Sequence, residues 1–442
     1  MGASAKTGKV EAYLEDYGTK PVPLEKTKNW FGMGMVIWGI SVCIPAFMLG
    51  SIMASSARLG TAVIAALLGS VILTVISIAT GVIGAHTRLS TAMTSKLTFG
   101  IHGNHLMALL LIIGTFGWFS IQLEVFGQAI QGAVKILSND SLTLARWVPI
   151  IVGGILMIST AFIGYKAIEA LSIWVIPVLI ILMLVTLFKA YSGVSMAEVA
   201  ARAPASPLPF GILVSIMAGA YAVGATIQPD ITRYAKSKGH AAWGMVFGMM
   251  VGFPLVVILA TIMGAGTGIG GFTDMMLKYH KGAWGIFAMF TIVFATWTTN
   301  DNNLYSASLA LNSIFTGMKK WQVTLIMGVV GIILALFGVL SHFMSWLVAL
   351  GVTMPPIAAI MAAEFFLFRS DEINYDFFPK TKGIRPITYV SWAAATAFGF
   401  LTYYKVFTFT TAPALDAVVV AFVLHFILML AAGNKVRVPG KK

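Results

Sequence analysis

The amino-acid sequence predicts an all-α membrane protein that crosses the bilayer twelve times. Three observations lead there. The 442-residue chain is 58% hydrophobic and only 10% charged, with a mean hydropathy of +0.89, whereas a soluble chain of this length would carry about 25% charged residues. Its apolar residues fall in runs of about 20, the length of a helix that spans the hydrocarbon core. Its Lys and Arg gather in the tails and in the short connections between those runs. Together these exclude an ordinary soluble enzyme and a disordered chain. A porin-like barrel is excluded as well, because it would show short alternating strands.

The runs lie near 31–55, 61–85, 105–132, 147–165, 170–189, 208–230, 241–266, 283–311, 322–340, 343–367, 388–405 and 412–433. The N-terminal tail, residues 1–30, carries mixed charge and no apolar segment of signal-peptide type, so no cleavable signal is expected. Twelve spans put both tails on one side. That side collects 21 of the 29 Lys and Arg and the other side 8, which by the positive-inside rule places the tails 1–30 and 434–442 in the cytoplasm. The net charge of +13 is then a topology signal and not a nucleic-acid footprint. The single cysteine, Cys43, leaves no internal disulfide and no Cys cluster for a metal.

Span 1 is interrupted at Gly39-Ile-Ser-Val-Cys-Ile-Pro45 and span 6 at Gly219-Ala-Tyr-Ala-Val-Gly-Ala-Thr-Ile-Gln-Pro229. Gly and Pro are common in membrane helices, so either break alone is ordinary. Five spans separate them, however. The match divides the chain into one five-helix repeat over 31–189 and an inverted one over 208–367, with two further helices over 388–433. Transporters built this way unwind the first helix of each repeat at mid-membrane, where freed carbonyls hold a cation and helix ends face the substrate.

Span 3 carries Gly117-Trp-Phe-Ser-Ile-Gln122. Thr115, Trp118 and Gln122 recur at helical spacing on one face, where an aromatic plane beside an amide suits a flat heterocycle with donors and acceptors. The same spacing also fits a packing Trp with an interhelical hydrogen bond. Glu124 lies about 200° around the helix from Gln122, and its buried carboxylate fits a structural or a proton-linked role.

Span 8 holds the densest polar run, Trp297-Thr-Thr-Asn-Asp-Asn-Asn303. Ala295, Thr298, Thr299 and Asn302 fall within one arc of about 100°. Two hydroxyls and a carbonyl there supply hard oxygen ligands suited to Na⁺. Asp301 flanks the arc and Asn300 lies roughly opposite. Unsatisfied polar groups are expensive in lipid, so this run calls for a function. His86, His102, His105 and His240 sit at span edges without metal-ligand spacing. The glycines of 264–271 lack the strand–helix context of a phosphate cradle.

Several short stretches, in order, resemble the nucleobase:cation symporter-1 family, and within it the cytosine permease branch. They are Pro21-Val-Pro23, Gly84-Ala-His-Thr87, Thr98-Phe-Gly100, Gly117-Trp-Phe119, Asp230 with Arg233, Trp297-Thr-Thr-Asn-Asp301 with Leu304-Tyr305, and Pro355-Pro356. The resemblance runs from about residue 20 to the end of span 12. It implies a LeuT-like fold of ten core helices plus two. It also implies a Na⁺ site on the carbonyls of Gly39, Val42 and Ala295 and the hydroxyls of Thr298 and Thr299. Family cytosine transporters have Phe where this chain has Cys43, Gln where it has Thr115, Ser where it has Val223 and Asn where it has Ala295. Trp118 and Gln122 look instead like the pair that binds ligand in the related hydantoin permease.

The expected substrate contacts are therefore Cys43, Thr115, Trp118, Gln122, Tyr221, Val223 and Asn300, with Trp118 and Tyr221 sandwiching the ring and Gln122 reading its edge. The expected activity is import of a nucleobase or related planar N-heterocycle by Na⁺-coupled symport across the cytoplasmic membrane, with alternating access. The alternative is proton-coupled symport of a hydantoin- or thiamine-precursor-like heterocycle. No catalytic constellation and no cofactor beyond the coupling ion are expected. The partners are the substrate and the lipid bilayer, not nucleic acid, and a monomer suffices for transport. A membrane-embedded enzyme would need His or Cys pairs or two acids in one cavity, and Glu124 and Asp301 read as the mid-membrane acids, with no nearby His. A channel would need rings of charge or a filter-like repeat.

Overall fold

A computed structural model describes residues 20–163, 166–269, 271–314 and 320–437, without the side chains of 104, 162, 163, 166–176, 302, 305, 306, 308, 309, 312, 313 and 320. The expectations for the outer parts of both tails, and for the side chains of Asn302 and Tyr305, lie outside it. Among the described residues the chain is helical, and its single β feature is an isolated bridge between Lys28 and Ala235.

The helices are, in order, α1 (Trp30–Ser41), α2 (Ile44–Ser56), α3 (Leu59–Thr87), α4 (Thr91–Phe99), α5 (Asn104–Leu137), α6 (Trp147–Ile163), α7 (Lys166–Tyr191), α8 (Met196–Ala201), α9 (Phe210–Ala220), α10 (Ala222–Thr226), α11 (Pro229–Thr232) and α12 (Lys238–Val246). They continue with α13 (Phe253–Thr267), α14 (Phe272–Tyr279), α15 (Gly282–Ile314), α16 (Lys320–Leu336), α17 (Phe343–Thr353), α18 (Pro355–Ala363), α19 (Pro386–Tyr403) and α20 (Pro413–Ala431). A π-helical turn, Phe247–Gly252, joins α12 to α13, and another, Glu364–Arg369, extends α18.

Among the described residues, six helical passages are long and apolar enough to cross a membrane, or seven if the bent pair α1–α2 counts as one. Shorter apolar helices accompany them, among them Trp147–Ala161, Pro177–Tyr191, Phe210–Ala220 and Trp321–Leu336. The runs 322–340 and 343–367 are separate helices: Gly338 takes a left-handed conformation (φ 83°) and a 3₁₀ turn, Val339–His342, separates α16 from α17. The segments α4, α8 and α14 fall where the sequence suggests only connections. Each has nine or fewer residues, too few for a periodic apolar stripe to stand out.

The packing logic is that of a protein in lipid. On α3, Ile64, Leu68, Val71 and Val75 are exposed, while Ser70, Thr74, Ser77 and Thr80 are buried. A soluble helix would reverse the two faces. Small and hydroxyl side chains let helices approach closely and bond across the contact. Thr80 Oγ1 thus donates to Ile76 O (2.9 Å) and reaches Ala225 O of α10 (2.8 Å). Asp230 Oδ1 accepts from Thr91 N (2.8 Å), joining α11 to the start of α4. Helices α5 and α15 form the most extensive pair, and α2 packs on α13. Outside the spans, buried His280 pairs with Thr186 Oγ1 (2.7 Å). Burial and nearby Lys189 push its imidazole down to about 4, so it is neutral at physiological pH.

Candidate substrate and ion site

The break in the first span falls where Gly39 to Pro45 suggests it. α1 and α2 meet at 65°, with Val42 and Cys43 outside either helix and Pro45 in the first turn of α2. The Cys43 amide donates to Ser41 O (3.0 Å), and the Ala46 amide donates to Cys43 O (3.0 Å). In a continuous helix those amides would bond Gly39 O and Val42 O. The two carbonyls expected at a cation are thus those whose helical donors have turned elsewhere.

On α15, Thr298 Oγ1 and Thr299 Oγ1 both donate to Ala295 O, at 3.2 and 2.8 Å. Both hydroxyl protons are committed to one carbonyl, which leaves oxygen lone pairs for a cation. α15 packs on α2 as well as on α5. No group of three or more His, Cys, Asp or Glu suited to a metal occurs among the described residues. The donor set is neutral oxygen, which fits a hard monovalent ion.

Asn300 faces α5 from this same stretch. Its Nδ2 donates to Phe119 O (2.9 Å) and touches Met157 Sδ (3.4 Å), and its Oδ1 accepts from Gln122 Nε2 (3.4 Å) and Asn303 Nδ2 (3.3 Å). Gln122 Oε1 is buried and unpartnered. The sequence sets Asn300 opposite the hydroxyl arc, and the structure supplies the reason: α15 turns one face to α2 and the other to Gln122.

The other expected contacts divide. Trp118 meets Phe343 of α17 edge to face at 5.9 Å. Tyr221, at the kink between α9 and α10, tilts onto Phe253 at 5.3 Å. The two rings thus have different aromatic neighbours. Val223 packs against Gly114. Thr115 faces α15, as Gln122 does. Its hydroxyl bonds Leu111 O (2.7 Å), and it lines a narrow cleft with Phe116, Phe119, Asn303, Leu304, Ala307 and Met327. A helix face about 60° wide can meet two neighbours, and Thr115 meets α15 and α16 where Trp118 meets α17. A larger, apolar cavity of about 240 Å³ adjoins Val42, Trp38 and Phe47 between the broken helix, α7 and α13. None of the expected substrate residues borders it, and Val42 of the expected ion site does.

The acids sort by partner. Glu124 Oε2 accepts from Arg146 Nη2 (2.7 Å) and its Oε1 from Leu340 N (2.8 Å), while Arg146 also reaches Ala335 O (3.0 Å). This ties α5 to the α16–α17 corner, and the structural role is the one the geometry shows. Asp301 Oδ1 accepts from Thr160 Oγ1 (3.0 Å), which accepts from Trp297 Nε1 (3.0 Å). Besides Glu124 and Asp301, which the sequence reads as the mid-membrane acids, Glu364 at the end of the tenth apolar run is fully buried and bonds His425 Nε2 (3.1 Å). It was missed because it sits at the end of an apolar run, where a charge is ordinarily solvated.

A helical membrane bundle with a broken helix beside converging hydroxyls and amides has the architecture of a secondary transporter. The family model described as permease for cytosine/purines, uracil, thiamine, allantoin matches residues 21–425, and the chain belongs to that nucleobase:cation symporter-1 family. It is 26% identical over 385 residues to the cytosine permease of Escherichia coli (strain K12), covering 86% of this chain and 87% of that one. It is 24% identical over 411 residues to the hydantoin permease of Microbacterium maritypicum, with 86% and 82% covered. The fold is shared with Mhp1, a nucleobase-cation-symport-1 family transporter solved in a closed conformation with bromovinylhydantoin bound. The TM-score there is 0.76 at 18% identity, over 95% of this chain and 96% of that one. The protein is a multi-pass membrane permease and not an enzyme.

Proposed function

We propose that this permease imports a nucleobase-like planar N-heterocycle by Na⁺-coupled symport with alternating access. Its spans would number twelve, with repeats over 31–189 and 208–367, helices 11 and 12 over 388–433, and both termini cytoplasmic. The single observation that carries the substrate reading is the amide of Gln122. It is buried and held by Asn300 through its nitrogen, and its oxygen lacks a partner. An unpaired acceptor in a dry site disfavours the empty state, and a ring N–H satisfies it. Trp118, one turn away, offers the ring a face. The hydantoin permease and cytosine permease relatives are transporters of such rings by name, which supports the same class here.

The test is binding to purified protein. Cytosine, uracil and hydantoin are screened by thermal shift, since a ligand that binds only the folded state raises its melting temperature. With the ligand that shifts wild type most, Gln122→Ala should weaken affinity by about five- to more than a hundredfold, the cost of leaving a polar ligand edge unpaired. Unchanged affinity would place the substrate elsewhere.

Orientation has its own check. The 21-to-8 distribution of Lys and Arg puts both ends on the cytoplasmic side. Tags at residues 1 and 442 should stay unlabelled in intact cells and label after permeabilisation. A tag labelled from outside would overturn the twelve-span topology.

A further inference from the structure

Helix α17 crosses both halves of the site. Leu347 presents its backbone carbonyl to Gly219 at the kink of α9, so closely that a Cβ there would lie 1.8 Å from the oxygen. One residue earlier on the same helix, Trp346 lays its indole on Gly117 of α5. A Cβ on Gly117 would lie 2.1 Å from Cζ2 and 2.3 Å from Cε2. The absence of a side chain at 117 therefore admits the indole, immediately before Trp118. The three nearest indole atoms, Cζ2, Cε2 and Cη2, belong to the six-membered ring, and Nε1 is bonded to one of them, Cε2. That Nε1 is buried and has no hydrogen-bond partner.

We propose that the indole Nε1–H of Trp346 donates a hydrogen bond to a carbonyl oxygen of the transported heterocycle, and so selects cyclic amides. The inference rests on the substrate lying at Trp118 and Gln122. An indole N–H donates and never accepts, so its counterpart is an acceptor. The Gln122 Oε1 is an acceptor without a donor. A ring that carries an N–H beside a C=O offers a partner to each group, whereas a ring whose facing edge carries donors alone leaves the indole unpaired. Residue 346 thus sets specificity, while Trp118 and Gln122 bind any flat ring with an N–H edge.

The experiment compares wild type, Trp346→Phe and Gln122→Ala. The probe is whichever of uracil, hydantoin or cytosine gives the largest wild-type thermal shift, together with its thiocarbonyl analogue. Phe keeps an aromatic plane and deletes the donor. The expected result is a loss of about five- to tenfold in affinity for the carbonyl ligand. The melting temperature without ligand should fall little, because the indole N–H has no protein hydrogen bond to lose. Sulfur accepts hydrogen bonds weakly, so the thio analogue should bind wild type less tightly than the carbonyl ligand, and that difference should shrink in Trp346→Phe. Wild-type affinity in Trp346→Phe alongside weakened binding in Gln122→Ala would overturn the role of the indole and leave the site standing. A large drop in ligand-free melting temperature with the thio penalty intact would make Trp346 a packing residue and overturn it equally. Wild-type binding in both variants would remove the site reading and this inference with it.

Discussion

Glu364→Ala is expected to destabilise the protein by about 3–5 kcal/mol, the cost of leaving buried charges without their partner. Glu364 is fully buried at the end of α18. Its Oε1 accepts from Arg385 Nη2 (2.9 Å) and His425 Nε2 (3.1 Å), and its Oε2 from Arg369 Nη1 (3.3 Å). The two guanidinium groups reach onward to the last carbonyls of α4, Arg369 to Leu97 O (3.3 Å) and Arg385 to Thr98 O (3.0 Å). His425 on α20 turns its other nitrogen to Ser391 Oγ on α19 (3.1 Å). One carboxylate therefore joins α4, α18, α19 and α20. Without it, Arg385, only 17% exposed, and a buried imidazole lose their carboxylate acceptor, and Arg369, 12% exposed, is left with Glu372 alone. Glu364→Gln keeps the shape and one carbonyl acceptor, so its loss should be smaller. Thermal unfolding of detergent-purified protein measures both. A Glu364→Ala variant that melts with wild type would show that the cluster is solvated and contributes nothing.

That cluster also marks the limit of what sequence periodicity reveals. The bounds of α3, α5 and α15 follow from apolar runs because lipid imposes a length, and the break at Val42 and Cys43 follows from Gly39 and Pro45. The hydroxyl arc of Thr298 and Thr299 was legible because helical angle alone decides that both reach back to the carbonyl of Ala295. Contacts between helices are another matter. Nothing in the spacing of Glu364 and His425, 61 residues apart, says that α20 packs beside α18. The division of Thr115 from Trp118 depends on which neighbours α5 meets. The one local clue to Trp346 was Gly117, since a glycine beside a membrane tryptophan signals a close approach by something large.

Thr298→Ala and Thr299→Ala are each expected to raise the Na⁺ concentration for half-maximal uptake by about tenfold. Deleting a group that merely orients a metal ligand weakens metal binding by roughly 10–100-fold. A neutral hydroxyl that touches the ion directly, in a site of weak oxygen donors, belongs at the lower end of that range. The two hydroxyls share Ala295 O as acceptor. Each therefore holds its proton away from the ion and offers a lone pair, and removing one also frees the carbonyl to move. Serine keeps the oxygen, so Thr298→Ser and Thr299→Ser should restore most of the response, and that rescue separates ligation from packing of the methyl group. Substrate binding at saturating Na⁺ should be near wild type in all four variants, because Gln122 and Trp118 are untouched. Uptake by proteoliposomes as a function of Na⁺ is the measurement. An ordinary Na⁺ response in both alanine variants would place the coupling ion elsewhere. The freed carbonyls of Gly39 and Val42 would then be a consequence of the helix break alone, and proton coupling would become the working mechanism.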